Sequence, residues 1–94
     1  MIILEPERFR KELRTIAFYI REESPQNAVR FVALLKARID TLVHFPYRYR
    51  RSIYFDDEQM RDMVYKGYTV VYEIDEEKDR IVLLSIFNRN LPDL

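Results

Sequence analysis

The chain has 94 residues, a length typical of one domain with one core, so we expect residues 1–94 to form a single domain. It contains no cysteine, which excludes disulfides and cysteine-based zinc sites. The net charge is zero, but residues 1–55 carry 11 Lys/Arg against 6 Asp/Glu and residues 56–94 carry 5 against 10. A general nucleic-acid binder usually has a basic excess, so any polyanion contact would need a local basic patch.

The first apolar run, MIIL, is too short for a signal peptide or a membrane span, so we expect a cytoplasmic protein. Ile2–Leu4 is typical of an edge strand, and Pro6 suits the first turn of a helix. Apolar residues then recur at helical spacing, which predicts a first amphipathic helix with one face on a core. Its apolar stripe comprises Phe9, Leu13, Ile16, Ala17 and Ile20.

A second amphipathic helix follows a break at Ser24-Pro25. Ser24 is expected to cap this helix and Pro25 to occupy its first position. The helix should end near His44-Phe45, because a residue before proline is disfavoured in the helical conformation. Two long helices joined by a short turn are expected to lie antiparallel. The stripe of the second helix comprises Ala28, Phe31, Val32, Leu35, Ile39, Leu42 and Val43.

The second half of the chain predicts strands. Residues 47–55 indicate a strand or an extended arm, and Met60–Tyr65 a further strand that Lys66-Gly67 turns back. The next strand, residues 68–74, alternates, with Tyr68, Val70, Tyr72 and Ile74 on the expected core face. Residues 80–88 are apolar on both faces, as in a central strand.

The register of the predicted hairpin depends on its turn. A two-residue turn at Lys66-Gly67 would place Arg61 opposite Tyr72 and on the core face, whereas a bulge would reverse that placement. Lysine is not ideal at the first position of a type I′ turn, so a bulged or type II turn remains open.

The order and spacing of these elements resemble the RelE/ParE superfamily of toxins from type II toxin–antitoxin systems. The resemblance implies an α+β fold with a two-helix antiparallel hairpin packed on one face of a small, mainly antiparallel twisted sheet. It extends over nearly the whole chain. The residues that carry it are Ser24-Pro25 with Ala28 and Phe31, the second-helix stripe ending in Phe45-Pro46, Arg61 with Met63, Gly67-Tyr68-Thr69-Val70-Val71-Tyr72, and Leu84-Ser85-Ile86-Phe87-Asn88-Arg89.

This resemblance implies a growth-inhibiting toxin that a cognate antitoxin neutralises. Three versions are open: a ParE-like protein that binds DNA gyrase, a RelE-like ribosome-dependent mRNA endonuclease, and a non-toxic interaction module that keeps the fold. RNA cleavage requires stabilised charge on the transferring phosphate. Thr69, Met60 and Asp62 stand where RelE-like enzymes place basic residues, and only Arg89 matches a basic position. We therefore favour the ParE-like version.

The candidate site residues are mainly arginines and aromatic side chains. If the protein is a nuclease, the catalytic candidates are Arg89, Arg48, Arg50 and Arg51. Phe18 and Tyr19 flank the first-helix stripe and are candidates for binding the antitoxin. The lone His44 and the absence of cysteine argue against a metal, and no cofactor is expected. A homodimer and a toxin–antitoxin hetero-oligomer both remain open. The candidates for target binding are Arg48, Arg50, Arg51, Arg61, Lys66 and Arg89.

Overall fold

The computed structural model describes residues 1–88, so the candidate Arg89 lies outside the described residues. Two helices pack on one face of a five-stranded, mostly antiparallel sheet, which confirms the α+β expectation. The helices are α1 (Glu7–Glu23) and α2 (Pro25–Asp40), followed by a 3₁₀ turn at Thr41–Val43. The strands are β1 (Ile2–Leu4), β2 (Arg50–Arg51), β3 (Met60–Tyr65), β4 (Tyr68–Asp75) and β5 (Arg80–Asn88).

The helical hairpin forms as the sequence predicts. Ser24 alone separates the two helices, and its hydroxyl accepts a hydrogen bond from the Asn27 N–H at 3.2 Å. Its extended backbone suits a residue that precedes proline. The predicted end of α2 near His44 is wrong for the α-helix itself. The α-helix ends at Asp40, and the tighter turn of Thr41–Val43 continues to His44.

The strand order in the sheet is β1-β5-β4-β3-β2, with β1 parallel to β5 and the other neighbours antiparallel. Arg61 pairs with Tyr72, as a two-residue turn requires. Lys66 has φ 49° and Gly67 has φ 84°, two positive values that are typical of a type I′ turn. The bulged and type II alternatives are therefore wrong at this turn, although lysine occupies a left-handed position.

The core lies between the helices and the sheet, where the stripes of both helices meet the predicted face of β4. The opposite face of the sheet is also buried at Thr69 and Val71, which the strand pattern placed outside the core. The segment before β3 crosses to this face, which the helices leave open. There Ser52 is itself buried, and the Tyr54 ring packs on Phe87, the β5 neighbour of Thr69, at 5.3 Å between centroids.

Neither helix in residues 1–88 combines the length and the apolar character that crossing a membrane requires.

Candidate functional site

The first candidate surface is the arm, which we define as residues 45–55. Two side chains of the sheet donate hydrogen bonds to backbone carbonyls in the first part of the arm. The Tyr72 hydroxyl donates to the Pro46 carbonyl at 2.7 Å, and Arg61 Nη1 donates to the Tyr49 carbonyl at 3.1 Å. Burial is the main cause of the raised pKa of Tyr72, so the hydroxyl stays protonated and able to donate.

The second part of the arm is also held through its backbone, by a main-chain carbonyl and a side-chain carboxylate of β3. The Ser52 N–H donates to the Met60 carbonyl at 2.7 Å, and the Ile53 N–H donates to Asp62 Oδ2 at 3.1 Å. Arg50 Nη2 also reaches Asp62 Oδ2, at 3.5 Å. Because these anchors use mainly backbone atoms of the arm, most of its side chains remain available to solvent.

The side chains that the arm exposes are largely apolar. Ile53 is 66% exposed and Phe45 is 63% exposed, so both are accessible to a partner. Aromatic residues and arginine are the types enriched at protein–protein interfaces. The exposed large hydrophobic residues of the arm are Phe45, Tyr47, Ile53, Tyr54 and Phe55.

Carboxylates of the same chain neutralise most of the charge on the arm. Arg51 pairs with Glu58 at 3.1 Å and with Asp56 at 3.5 Å, while Arg61 pairs with Glu58 at 3.2 Å. Arg50 pairs with Asp62, as described above. The guanidinium of Arg48 lies 5.7 Å from the Tyr49 ring centroid. The arm thus exposes aromatic side chains and carries little excess positive charge.

The second candidate surface is the outer side of α1, where Phe18 and Tyr19 are both exposed. Phe18 lines a groove of about 650 Å³ between the two helices, and Tyr19 lines a separate groove of about 580 Å³ between α1 and β5. The predicted antitoxin-binding pair therefore faces two grooves on either side of one helix. Arg14 and Arg21 line the groove between the helices, and Arg21 lies 4.8 Å from the Phe18 ring centroid.

A bulge in β5 shapes the groove beside Tyr19. Val71 pairs with Ser85 and Tyr72 pairs with Leu83, so β5 contains one extra residue. The Glu12 carboxylate binds this bulge: it accepts from Ser85 Oγ at 2.9 and 3.1 Å and from the Ile86 N–H at 3.1 Å. Val82 is the last residue of β5 that pairs with β1. Past that point, the Glu12 carboxylate accepts the hydrogen bond of a β5 backbone N–H.

The remaining predicted target residues occupy different places. Lys66 is at the hairpin tip, five residues and about 16 Å along the strand from Arg61, so it lies apart from the arm. The Arg61 side chain is only 13% exposed and serves to hold the arm. Arg48, Arg50 and Arg51 are all exposed on the arm, but each has a different neighbour: the Tyr49 ring, Asp62, and Glu58 with Asp56, respectively. Within residues 1–88 no cluster of three or more His, Asp or Glu residues could hold a metal ion.

Sequence reasoning missed the contributions of Asp62, Glu12 and Tyr72. Asp62 had one signal available, because an acidic residue between the apolar residues Met60 and Met63 of one strand is expected to need a partner when it is buried. Glu12 and Tyr72 had no such signal, since each looks like an ordinary residue of an amphipathic element. Their partners are distant in sequence and become visible only in the folded chain.

Comparison with known proteins agrees with this architecture. The crystal structure of the isolated E. coli RelE toxin matches with a TM-score of 0.65 and 19% identity, covering 98% of this chain and 87% of that chain. At that identity the likeness establishes the fold. No curated protein gives a significant sequence match. The family model for the ParE toxin of the type II toxin–antitoxin system parDE matches residues 6–90. Because this match spans most of the sequence, the chain belongs to the ParE toxin family of type II toxin–antitoxin systems.

Proposed function

We propose that the protein inhibits growth by binding DNA gyrase in the cytoplasm through the arm, and that its cognate antitoxin neutralises it by covering α1. One observation carries the choice of target: the arm exposes aromatic and aliphatic side chains while carboxylates of the chain pair with Arg50, Arg51 and Arg61. A surface of this kind suits a protein partner, because arginines already paired with carboxylates have less to offer a phosphate backbone.

The second face of the sheet supports the same choice. An mRNA endonuclease needs cations beside the transferring phosphate. Here Asp62 and Thr69 are both buried beneath the arm, and neither can supply positive charge. Arg48, Arg50 and Arg51 remain the exposed basic candidates of the arm, and we propose them as contributors to gyrase binding at the edge of the apolar surface.

For the antitoxin we propose contacts with Phe18 and Tyr19. The two residues open into separate grooves, so one partner segment that crosses α1 would contact both. Arg21 lines the groove between the helices and pairs with no carboxylate of the described residues, which favours a partner with an acidic residue beside its apolar ones. The resulting assembly is a toxin–antitoxin hetero-oligomer.

A supercoiling assay with two matched variants tests this proposal. Ile53→Ala shortens an exposed side chain on the arm, and Val29→Ala shortens one that is 73% exposed on α2. The wild type and Val29→Ala should inhibit supercoiling by purified gyrase, and Ile53→Ala should require about tenfold more protein, as truncation of an interface anchor costs over about 1 kcal/mol. Translated mRNA should stay intact with all three proteins.

Other results would assign a different function. Cleavage of ribosome-bound mRNA that Arg89→Ala abolishes would replace the gyrase proposal with the RelE-like endonuclease. Normal growth on induced expression without the antitoxin would favour the non-toxic interaction module. Inhibition of gyrase that Ile53→Ala leaves unchanged would retain the target but remove the arm from the interface.

A further inference from the structure

Asp62 is a buried carboxylate with an incomplete set of hydrogen bonds. Its side chain is 0% exposed, and Oδ2 accepts from the Ile53 N–H at 3.1 Å and from Arg50 Nη2 at 3.5 Å. Within the described part of the chain, Oδ1 has no hydrogen-bond partner. A buried charge with one unpaired oxygen is unfavourable unless its remaining interactions compensate for it. The two donors from the arm are the interactions available for that compensation.

The Asp62 side chain connects two parts of the arm that β-strand pairing alone does not hold together. Strand β2 contains only Arg50 and Arg51, and Arg50 pairs with Asp62 in the sheet. Beyond that strand the chain turns towards the open face of the sheet, and the Ile53 N–H meets the Asp62 carboxylate there. One side chain therefore bridges the edge strand and the exposed apolar residues that follow it.

We propose that Asp62 is a positioning residue, whose carboxylate fixes residues 53–55 so that their exposed side chains form one preorganised surface for the protein target. This inference rests on the proposed function for its purpose, but its structural part can be measured without the target. Preorganisation matters because a loop that is ordered only on binding loses affinity to the entropy of ordering.

The other contacts of this segment are too few to replace the carboxylate. The Tyr54 N–H donates to Ser52 Oγ at 3.2 Å, a bond within the segment itself. The Tyr54 ring meets Phe87, and this contact leaves Tyr54 half exposed. Without Asp62, residues 53–55 would keep the ring contact between Tyr54 and Phe87. The Ile53 N–H would lose its charged acceptor.

Amide hydrogen exchange on the full chain tests the positioning role. Asp62→Ala should accelerate exchange at Ile53 and Tyr54 by about tenfold to a hundredfold, as expected for loss of a hydrogen bond to a charged acceptor. Amides of α1 should change far less. Val70→Ala is the matched control, because Val70 is fully buried on the helix side of the sheet, whereas Asp62 pairs with Val71 on the opposite face. Because it lowers global stability, it should accelerate exchange at all globally protected amides together.

Asp62→Asn keeps the experiment interpretable if Asp62→Ala does not fold. The asparagine retains an oxygen that can accept from Ile53 but loses the charge that attracts Arg50, so exchange at Ile53 should rise by a smaller factor, about threefold to tenfold. Accelerated exchange confined to residues 52–55 in either variant supports the proposal. Exchange at these amides that rises no more than in Val70→Ala overturns it.

The supercoiling assay then separates the two proposals. If Asp62→Ala loosens the arm and also weakens gyrase inhibition about tenfold relative to Val70→Ala, both proposals stand. If the arm loosens but the wild type never inhibits gyrase, Asp62 still positions the arm and the target is wrong. If the arm loosens and gyrase inhibition is unchanged, preorganisation of the arm for this target is refuted.

Discussion

Replacing Glu12 with alanine tests how the bulge in β5 is stabilised. The Glu12 carboxylate accepts bonds of 2.9 and 3.1 Å from Ser85 Oγ and one of 3.1 Å from the Ile86 N–H. Hydrogen bonds to charged acceptors contribute about 1.5–3 kcal/mol each when buried. The Glu12 side chain is 30% exposed, so water replaces part of this set. We therefore expect Glu12→Ala to lower the free energy of unfolding by about 2 kcal/mol.

This loss should be visible in both chemical and thermal unfolding. For a domain of this size it corresponds to a melting temperature lower by about 8–16 °C. Glu12→Gln keeps one carbonyl acceptor and should lower the free energy of unfolding by about 1 kcal/mol. Glu22→Ala is the control, because Glu22 is an exposed residue of the same helix and its change should stay within about 0.5 kcal/mol. Urea unfolding followed by circular dichroism gives all three values. A Glu12→Ala protein as stable as Glu22→Ala would refute the reasoning.

Three further changes probe single features of the fold. Lys66→Asn should raise the free energy of unfolding by about 0.5–1 kcal/mol, because asparagine tolerates the left-handed φ of 49° better than lysine, and a lower urea midpoint would contradict this. Tyr72→Phe removes the 2.7 Å bond to Pro46 and should lower the free energy of unfolding by about 1–2 kcal/mol in urea, with an unchanged value counting against the anchor. A hydrogen bond from Arg14, then the charges of Arg14 and Arg10, lowers the pKa of Glu7 below 4.5. Its stabilisation is therefore present above pH 4.5 and lost as the pH falls through the lowered pKa, so Glu7→Gln should lose less stability on acidification than the wild type, and parallel pH profiles would oppose this assignment.

Local signals account for the parts of the fold that the sequence predicted well. Ser24-Pro25 combines a capping hydroxyl with a residue suited to a helix start, so the break between the helices was readable from two residues. The core face of β4 followed from the alternation of its apolar residues, whereas the register of β3 and β4 depended on the turn at Lys66-Gly67, which the sequence left open. Both signals act between neighbours in the chain, where spacing has a direct structural meaning.

The wrapping of the arm could not be predicted, because its anchors follow no period. Tyr72 reaches a backbone carbonyl 26 positions earlier, and Arg61 reaches one 12 positions earlier. The arm then continues round the edge of the sheet, and Thr69 and Val71 are buried on a face that the strand pattern left open. The same wrapping pairs Arg50 and Arg51 with nearby carboxylates, so the clustering of arginines in the sequence overstated the free positive charge.

The arm as a protein-binding surface is tested most directly by calorimetric titration of purified DNA gyrase with the wild type and Ile53→Ala at low and high salt. We predict that the wild type binds gyrase at both salt concentrations and that Ile53→Ala weakens binding about tenfold, because exposed apolar side chains carry the interaction. Absence of binding to gyrase would contradict the account. So would binding that Ile53→Ala leaves intact but that high salt or Arg48→Ala abolishes, since the interaction would then depend on charge.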